Sequence, residues 1–300
     1  MAGTIYNFTN TSTGLSGTIQ SWLVPKSGKY RITAIGARGG YAYLLNTSNI
    51  NYGGYGARMQ GTFDLIGGET IKILVGQMGG DNPRNYRGSG GGGGTFIVRN
   101  VGTVPLLIAG GGGGGGQYAI TSACHGQLGA SGGAGTQSPL AAGGTSGGGG
   151  NASSYGGGGT GWTTKGVDSS YGKGGNMFQS GGAGGILYSD GKNGGFGGGG
   201  GCYAASGGGG GYSGGGAGGW SYAGNGGGGG SYNIGTDPLS TSQIGTSHGS
   251  VSIEQLISYD INIKVSGNYV SAESVYTKVG GTWKEVSAIS TKVGGTWSTG

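Results

Sequence analysis

Charge is the first thing this sequence is short of. Asp, Glu, Lys and Arg together make up 9% of the 300 residues, against about 25% in an ordinary domain. Charge-driven disorder needs many charges and few aromatics. With 18 tyrosines present, that class of chain is excluded. The 16 basic residues are scattered rather than run together, which argues against a nucleic-acid arm. The formal net charge of +6 gives a mild positive field, suited to solubility and to an anionic cell-surface polymer. Cysteine is limited to Cys124 and Cys202, too few for a disulfide framework. They are left as one bridge across the glycine-rich region or as two free thiols. Long apolar runs are also missing: nothing approaches the roughly 18 residues of a membrane span. The opening Met1-Ala2-Gly3 has neither a basic nor an apolar leader, so no secretory signal is expected.

What the chain has instead is glycine, at 87 positions, about fourfold above average usage. It is densest over 110–230, in tracts at 110–116, 147–150, 156–159, 197–201, 207–211 and 226–230. A collagen triple helix needs strict glycine at every third position and much proline. That period is absent and the whole chain has five prolines. A flexible linker would have little use for Trp162, Phe178, Phe196 and Trp220. The remaining reading is a bundle of extended polyglycine-II helices. Such helices have three residues per turn and about 3.1 Å rise, approach closely for want of side chains, and satisfy one another's outward N–H and C=O groups. Glycine loses the most chain entropy on ordering, so the lattice must be dense in hydrogen bonds.

The flanks read as β. Residues 18–24 form a short strand-like run closed by Pro25. Residues 29–35 alternate polar and apolar, as do 57–65, and Ile71, Ile73 and Val75 share one face. The runs 95–98 and 104–109 complete at least six strands, separated by Ser27-Gly28 and Gly67-Gly68 turn signals. No window carries the 3.6-residue period, so almost no helix is expected. The alternating 250–253 segment would close the first sheet, making 110–230 an insertion between strands of one domain built from 1–109 and 231–256. A separate tail, 257–300, repeats Thr277-Lys278-Val279-Gly280-Gly281-Thr282-Trp283 as Thr291-Lys292-Val293-Gly294-Gly295-Thr296-Trp297. Each unit predicts a β-hairpin with a Gly-Gly turn and a strand carrying Trp. Two units are fewer than a self-stable array usually needs. Trp283 and Trp297 are therefore expected to serve assembly.

Several motifs carry a resemblance over 18–256. They are Trp22-Leu23-Val24-Pro25, Ala34-Ile35-Gly36-Ala37-Arg38-Gly39-Gly40, Ile73-Leu74-Val75-Gly76-Gln77-Met78-Gly79, and the run from Gly90 to Phe96. Further on come Pro105-Leu106-Leu107-Ile108-Ala109-Gly110, Gly195-Phe196-Gly197 to Cys202, Gly207 to Tyr212, and His248-Gly249-Ser250-Val251. In order and rough spacing the segment resembles the glycine-rich domain of the anaplastic lymphoma kinase and leukocyte tyrosine kinase ectodomains. The resemblance implies an all-β fold: a tumour-necrosis-factor-like β-sandwich (jelly roll) with an inserted polyglycine-II helix bundle, here followed by a small C-terminal β-hairpin repeat tail. The kinases' ligand does not transfer with the fold. The terminal Lys-Val-Gly-Gly-Thr-Trp repeats look like those that end many bacteriophage tail proteins, and phage adhesins are known to display receptor-binding loops on packed polyglycine helices. The expectation is therefore a phage virion protein of the tail-fibre or tip-adhesin type. It would be made in the host cytoplasm and released by lysis, and would bind a host-surface glycan or protein and other virion proteins, as a homotrimer. Nucleic acid and membrane insertion are not expected. The alternative is a purely structural virion component.

No catalytic residue is assigned, and no cofactor or metal is expected. Gly-x-Gly-x-x-Gly recurs as it must in such a chain and says nothing about nucleotides, and no phosphate-binding lysine loop follows a strand. Cys124-His125 offers two metal ligands where structural zinc wants four. His248, at a strand start, reads as structural. The ten acidic residues form no recognisable acid–base pair. The candidate receptor-binding residues are aromatics in connectors: Tyr41, Tyr43, Tyr52 and Tyr55 between strands, and Trp162, Tyr171, Tyr188, Tyr203, Tyr212, Trp220 and Tyr222 between glycine tracts. Function concentrates on loops held by a rigid scaffold, and aromatic faces among Asn and Ser suit glycan or protein surfaces. For any one of them the competing role is to cover the outside of the bundle.

Overall fold

A computed structural model describes residues 4–99, 105–220 and 223–256, together with the backbone of six short strands between Ile261 and Thr299. The strands, in chain order, are β1 Ile5–Thr9, β2 Gln20–Leu23, β3 Gly28–Ile35, β4 Ala42–Tyr43, β5 Ile50–Asn51, β6 Gly56–Leu65, β7 Thr70–Leu74, β8 Thr95–Arg99, β9 Pro105–Ala109, β10 Tyr232–Asn233, β11 Thr236–Gly245 and β12 Ser250–Gln255. They are followed by β13 Ile261–Val265, β14 Asn268–Ala272, β15 Tyr276–Val279, β16 Thr282–Glu285, β17 Ser290–Val293 and β18 Thr296–Thr299. Helix among the described residues is limited to two single 3₁₀ turns, Ser122–Cys124 and Phe178–Ser180. None is long and apolar enough to cross a membrane.

Two antiparallel five-stranded sheets carry the fold, ordered β1-β12-β3-β6-β11 and β10-β9-β8-β7-β2, an arrangement consistent with a β-sandwich. Alternation sets the inner faces. Tyr30, Ile32 and Ala34 of β3 and Val251 and Ile253 of β12 share one cluster with Ile71, Ile73, Ile97 and Leu107 of the other sheet. Trp22 lies edge-on to Tyr30 at 5.6 Å between centroids. The second sheet is buried on its outer face as well, which is why Phe96, Ile97 and Val98 of β8 and the whole of β9 are apolar without alternation. Leu74, Phe96, Val98 and Ile108 there meet Trp162 and Phe196 from the glycine-rich region.

In the two main sheets, β1, β10 and β11 were not read from the sequence. β1 pairs with β12. β11 pairs with β6 through two register shifts and is solvent-exposed along nearly its whole length. An exposed strand holding Pro238, with Asp237 and Gln243 at positive φ, has no buried face to impose a period of two.

The glycine tracts form a hydrogen-bonded array that is wider than the 110–230 segment. Tracts 36–40, 76–80 and 110–116 run straight out of β3, β7 and β9, while 53–55 and 88–94 lead back into β6 and β8. Successive N–H groups rotate among three neighbours. Gly207 donates to Ser89, Gly208 to Gly157, Gly209 to Gly227, and then Gly210 to Gly92, Gly211 to Thr160 and Tyr212 to Gly230. Each third residue thus returns to the same neighbour three residues further on. Tract 226–230 repeats the pattern, with Gly226 and Gly229 donating to Gly114 and Gly111, and Gly227 and Gly230 to Gly216 and Ser213. This is neither the i−4 ladder of an α-helix nor the two-sided pairing of a strand. At some positions a side chain takes an N–H that no tract receives: Gly147 donates to Ser213 Oγ (3.0 Å), Gly149 to Thr164 Oγ1 (2.8 Å) and Gly174 to Asp168 Oδ1 (3.0 Å). That use explains why Ser, Thr and Asp punctuate the tracts.

In the tail, β13 pairs with β14, β15 with β16 and β17 with β18, each as a two-stranded hairpin. The repeat strands carry Trp283 opposite Lys278 and Trp297 opposite Lys292. The side chains of these tryptophans lie outside the described residues.

Candidate functional site

The tracts give the array two ends, one against the sheets and one remote from them. Gly40 N–H to Gly90, Gly80 N–H to Asn193 and Gly115 N–H to Gly40 bring the remote ends level. The chain turns there through connectors at 41–52, 81–88, 152–155, 168–171, 188–193 and 203–206, and Trp220 ends the tract that reaches the same end. These connectors hold most of the exposed aromatics.

Five rings assemble into one group. Tyr155 stacks on Tyr171 at 4.9 Å, lies 6.2 Å from Tyr203 and 6.5 Å from Trp220, and Tyr188 packs edge-on to both Tyr171 (5.0 Å) and Tyr203 (5.8 Å). Trp220 is 56% exposed, and Tyr171 and Tyr188 are exposed as well. The Arg87 guanidinium sits 4.4 Å above the Tyr203 ring and its Nη2 donates to Tyr203 Oη at 3.1 Å, a cation–π pair that orients both groups. Arg87 Nε also faces Asp190 at 3.6 Å, and Arg84 pairs with the same carboxylate.

A second group borders the first. Tyr41 packs with Tyr43 and Tyr52 at 6.4 and 6.3 Å. The buried Arg38 lies 4.9 Å from the Tyr52 ring and 3.6 Å from Asp81, which accepts the Tyr41 N–H at 2.9 Å. Tyr86 donates to Asn46 Oδ1 at 2.8 Å, tying the connector that carries Arg84 and Arg87 to the loop between β4 and β5. The result is a surface of Tyr, Trp, Arg, Asn and Ser on a scaffold whose backbone is held from all sides.

Of the residues expected from sequence, Tyr41, Tyr43, Tyr52, Tyr171, Tyr188, Tyr203 and Trp220 lie on this remote face. Tyr55 is placed elsewhere: it immediately precedes β6, at the sheet end of its tract, stacked on His125 at 5.4 Å. Trp162 is placed differently: it is 7% exposed, in the apolar cluster on the second sheet, and has no face to offer a receptor. Tyr212 packs against that cluster and stacks on Tyr232 at 4.5 Å. Both stand at the sheet end of their tracts, where burying a ring covers β8 and β9. Tyr222 lies outside the described residues.

Sequence reading passed over Tyr155, Arg84, Arg87 and Asp190. Tyr155 had a signal. Ser153-Ser154-Tyr155-Gly156 recurs as Ser169-Ser170-Tyr171-Gly172, and both copies make the same turn, with Ser153 N–H to Gly156 O and Ser169 N–H to Gly172 O. Two identical turns side by side stack the two rings.

The two histidines and the two cysteines are engaged within the fold. His125 Nδ1 accepts the Tyr55 N–H at 3.0 Å, and burial holds its pKa below the ordinary value. His248 Nδ1 accepts the Met78 N–H at 3.1 Å and is likewise depressed, by burial and by the charge of Arg38. Cys124 and Cys202 are buried and unpaired, which resolves the two readings in favour of free thiols. Burial raises both, Cys202 to about 12. Among the described residues no group of three or more His, Cys, Asp or Glu is placed to hold a metal. No known family model matches the chain.

Proposed function

We propose that this protein is a bacteriophage virion component of the tail-fibre or tip-adhesin type, and that the remote aromatic face binds a host-cell surface receptor. One observation carries the reading. Connectors scattered over the sequence bring Tyr155, Tyr171, Tyr188, Tyr203 and Trp220 into contact at the end of the array farthest from the sheets. Tyr, Trp and Arg with Ser and Asn is the composition of binding loops, in which rigid rings supply contact area at low entropic cost. The nearby carboxylates act as struts. Asp190 is held by Arg84 and Arg87, and Asp81 by Arg38 and the Tyr41 N–H; neither is poised as a general acid or base, which favours a binding protein over an enzyme.

The finer architecture belongs to the same proposal. The rotation of N–H donors with period three supports reading the tracts as polyglycine-II helices, which have three residues per turn. The two antiparallel sheets, with the array continuing from β3, β7 and β9, support the tumour-necrosis-factor-like jelly roll and the likeness to the kinase glycine-rich domains. A homotrimer docked on other virion proteins through the 257–300 tail completes the reading.

Adsorption tests it. Purified protein should bind the bacteria that the phage infects, antibody against it should block adsorption, and Trp220→Ala combined with Tyr188→Ala, both at exposed rings, should abolish binding while the chain stays folded. No binding to the cells and no block of adsorption by the antibody, with the protein enclosed in the particle, would assign it to the structural class of virion proteins instead.

A further inference from the structure

A groove of about 190 Å³ runs down the flank of the array from the remote face. It is lined by Lys165 and Asp168, by Lys173, Gly174 and Asn176, and by residues 184–186. Lys173 N–H donates to Ile186, Asn176 N–H to Ala183, and Gly166 N–H to Gly175. In a closed array the outward N–H of Gly174 would meet another tract. Here it meets Asp168 Oδ1 at 3.0 Å, so one position of the lattice is left open and its backbone donor is already capped. What lines the opening is charge. Asp168 also accepts from Lys165 Nζ at 3.0 Å, which neutralises one lysine. Lys173 Nζ donates to the Ser169 carbonyl at 3.5 Å, and, against the burial that would raise it, its charge together with that of Lys165 helps hold the Asp168 carboxyl below its ordinary pKa. Two ammonium groups against one carboxylate leave the groove a net cation, fitted for an anion and not for a further glycine strand.

Two exposed rings, Tyr171 and Tyr188, stand two residues along the chain from the lining residues Lys173 and Ile186. Tract 173–176 begins just after Tyr171 and tract 184–186 ends just before Tyr188. At about 3.1 Å per residue, Lys173 and Ile186 lie about 6 Å below rings that pack edge-to-face at 5.0 Å. Aromatic faces take the apolar face of a sugar ring, and a charge-assisted bond to an ammonium takes its acidic substituent. We infer that the flank groove is the anion subsite of the receptor face, and that the ligand is an acidic polysaccharide: a sugar ring lies on the more exposed Tyr188, beside Tyr171, while its carboxylate or phosphate enters between Lys165 and Lys173. This inference rests on the receptor-binding reading and names its ligand class.

The full-length protein is tested on immobilised polygalacturonate (carboxylate), glycerol-phosphate teichoic acid (phosphate), dextran (neutral) and polyglutamate (an acidic peptide). Binding to at least one acidic polysaccharide is expected, weakening as salt rises, with little to dextran; which of the two is bound identifies the anion. Lys173→Gln and Tyr188→Ala should each lower that affinity about tenfold, whereas Lys72→Gln on β7 should not change it. Equal binding to dextran, an unaltered Lys173→Gln protein, or binding to polyglutamate that survives Tyr188→Ala would overturn the inference. So would failure on every polymer. In that last case, cell adsorption that is lost in Trp220→Ala would leave the receptor-binding reading standing on a protein receptor, while absence of cell adsorption would remove both.

Discussion

The carbonyl of Gly91 occupies the space where a side chain on Gly199 would begin. The contact belongs to a general condition of the array, because tracts hydrogen-bonded on three sides leave no room for a Cβ between backbones. Gly199→Val should therefore cost about 3 kcal/mol or more, as overpacking of a rigid interior does. Gly129 is the control, since a Cβ there meets nothing within 4 Å. Gly129→Ala should leave stability unchanged or raise it by about 0.5 kcal/mol through the unfolded state. Denaturant melts of the two variants check both; equal stability would show that the tracts are not closely packed.

Acid should loosen the fold through its histidines. His125 and His248 each accept a backbone N–H through Nδ1, which only the unprotonated nitrogen can do. Their folded pKa values lie below the ordinary 6.5. The sign follows: this contribution is fully present above 6.5 and is lost as pH falls through the depressed folded values. The melting temperature should drop over that range, and an NMR titration of the two imidazoles should give midpoints below 6.5. Midpoints at or above 6.5 would contradict the acceptor geometry.

Thiol chemistry should be silent in the native state. Cys124 and Cys202 are fully buried, and burial raises the Cys202 thiol to about 12; the thiolate is the reactive form. A maleimide should label neither residue until the chain is unfolded, when it should label both. A disulfide detected by mass spectrometry would refute the unpaired assignment.

Assembly should depend on the tail. Among the described residues, each of its three hairpins pairs only within itself, and an isolated two-stranded hairpin is marginal in water. The tail is expected to gain its stability from another subunit or virion protein. Light scattering should give a trimer for the full chain and a smaller species for a chain ending at Leu256. A full-length monomer with Trp283 and Trp297 accessible to a fluorescence quencher would show this to be wrong.

Local sequence determined a good deal here. The alternation of Tyr30, Ile32 and Ala34 dictated a strand with one buried face, because side chains two apart share a side of the pleat. Gly-Gly between Val279 and Thr282 dictated a hairpin and so the pairing of Lys278 with Trp283. The rings set among the tracts, Trp162, Phe178, Phe196 and Trp220, favoured packed glycine backbone over a linker, since a linker has little use for them. Tertiary structure decided the site. Tyr203 and Tyr212 both flank the glycine tract 207–211, and nothing local tells them apart. The tract runs toward the sheets, so Tyr212 arrives on the apolar face of β8 and β9 and stacks on Tyr232, while Tyr203 stays at the remote end under Arg87. The same direction rule separates Tyr155 from Trp162 across tract 156–159. Which ring is buried and which is offered to a partner depends on how each tract is laid into the array. That is fixed by hydrogen bonds to tracts distant in sequence, and a glycine run carries no side-chain pattern from which its neighbours could be read.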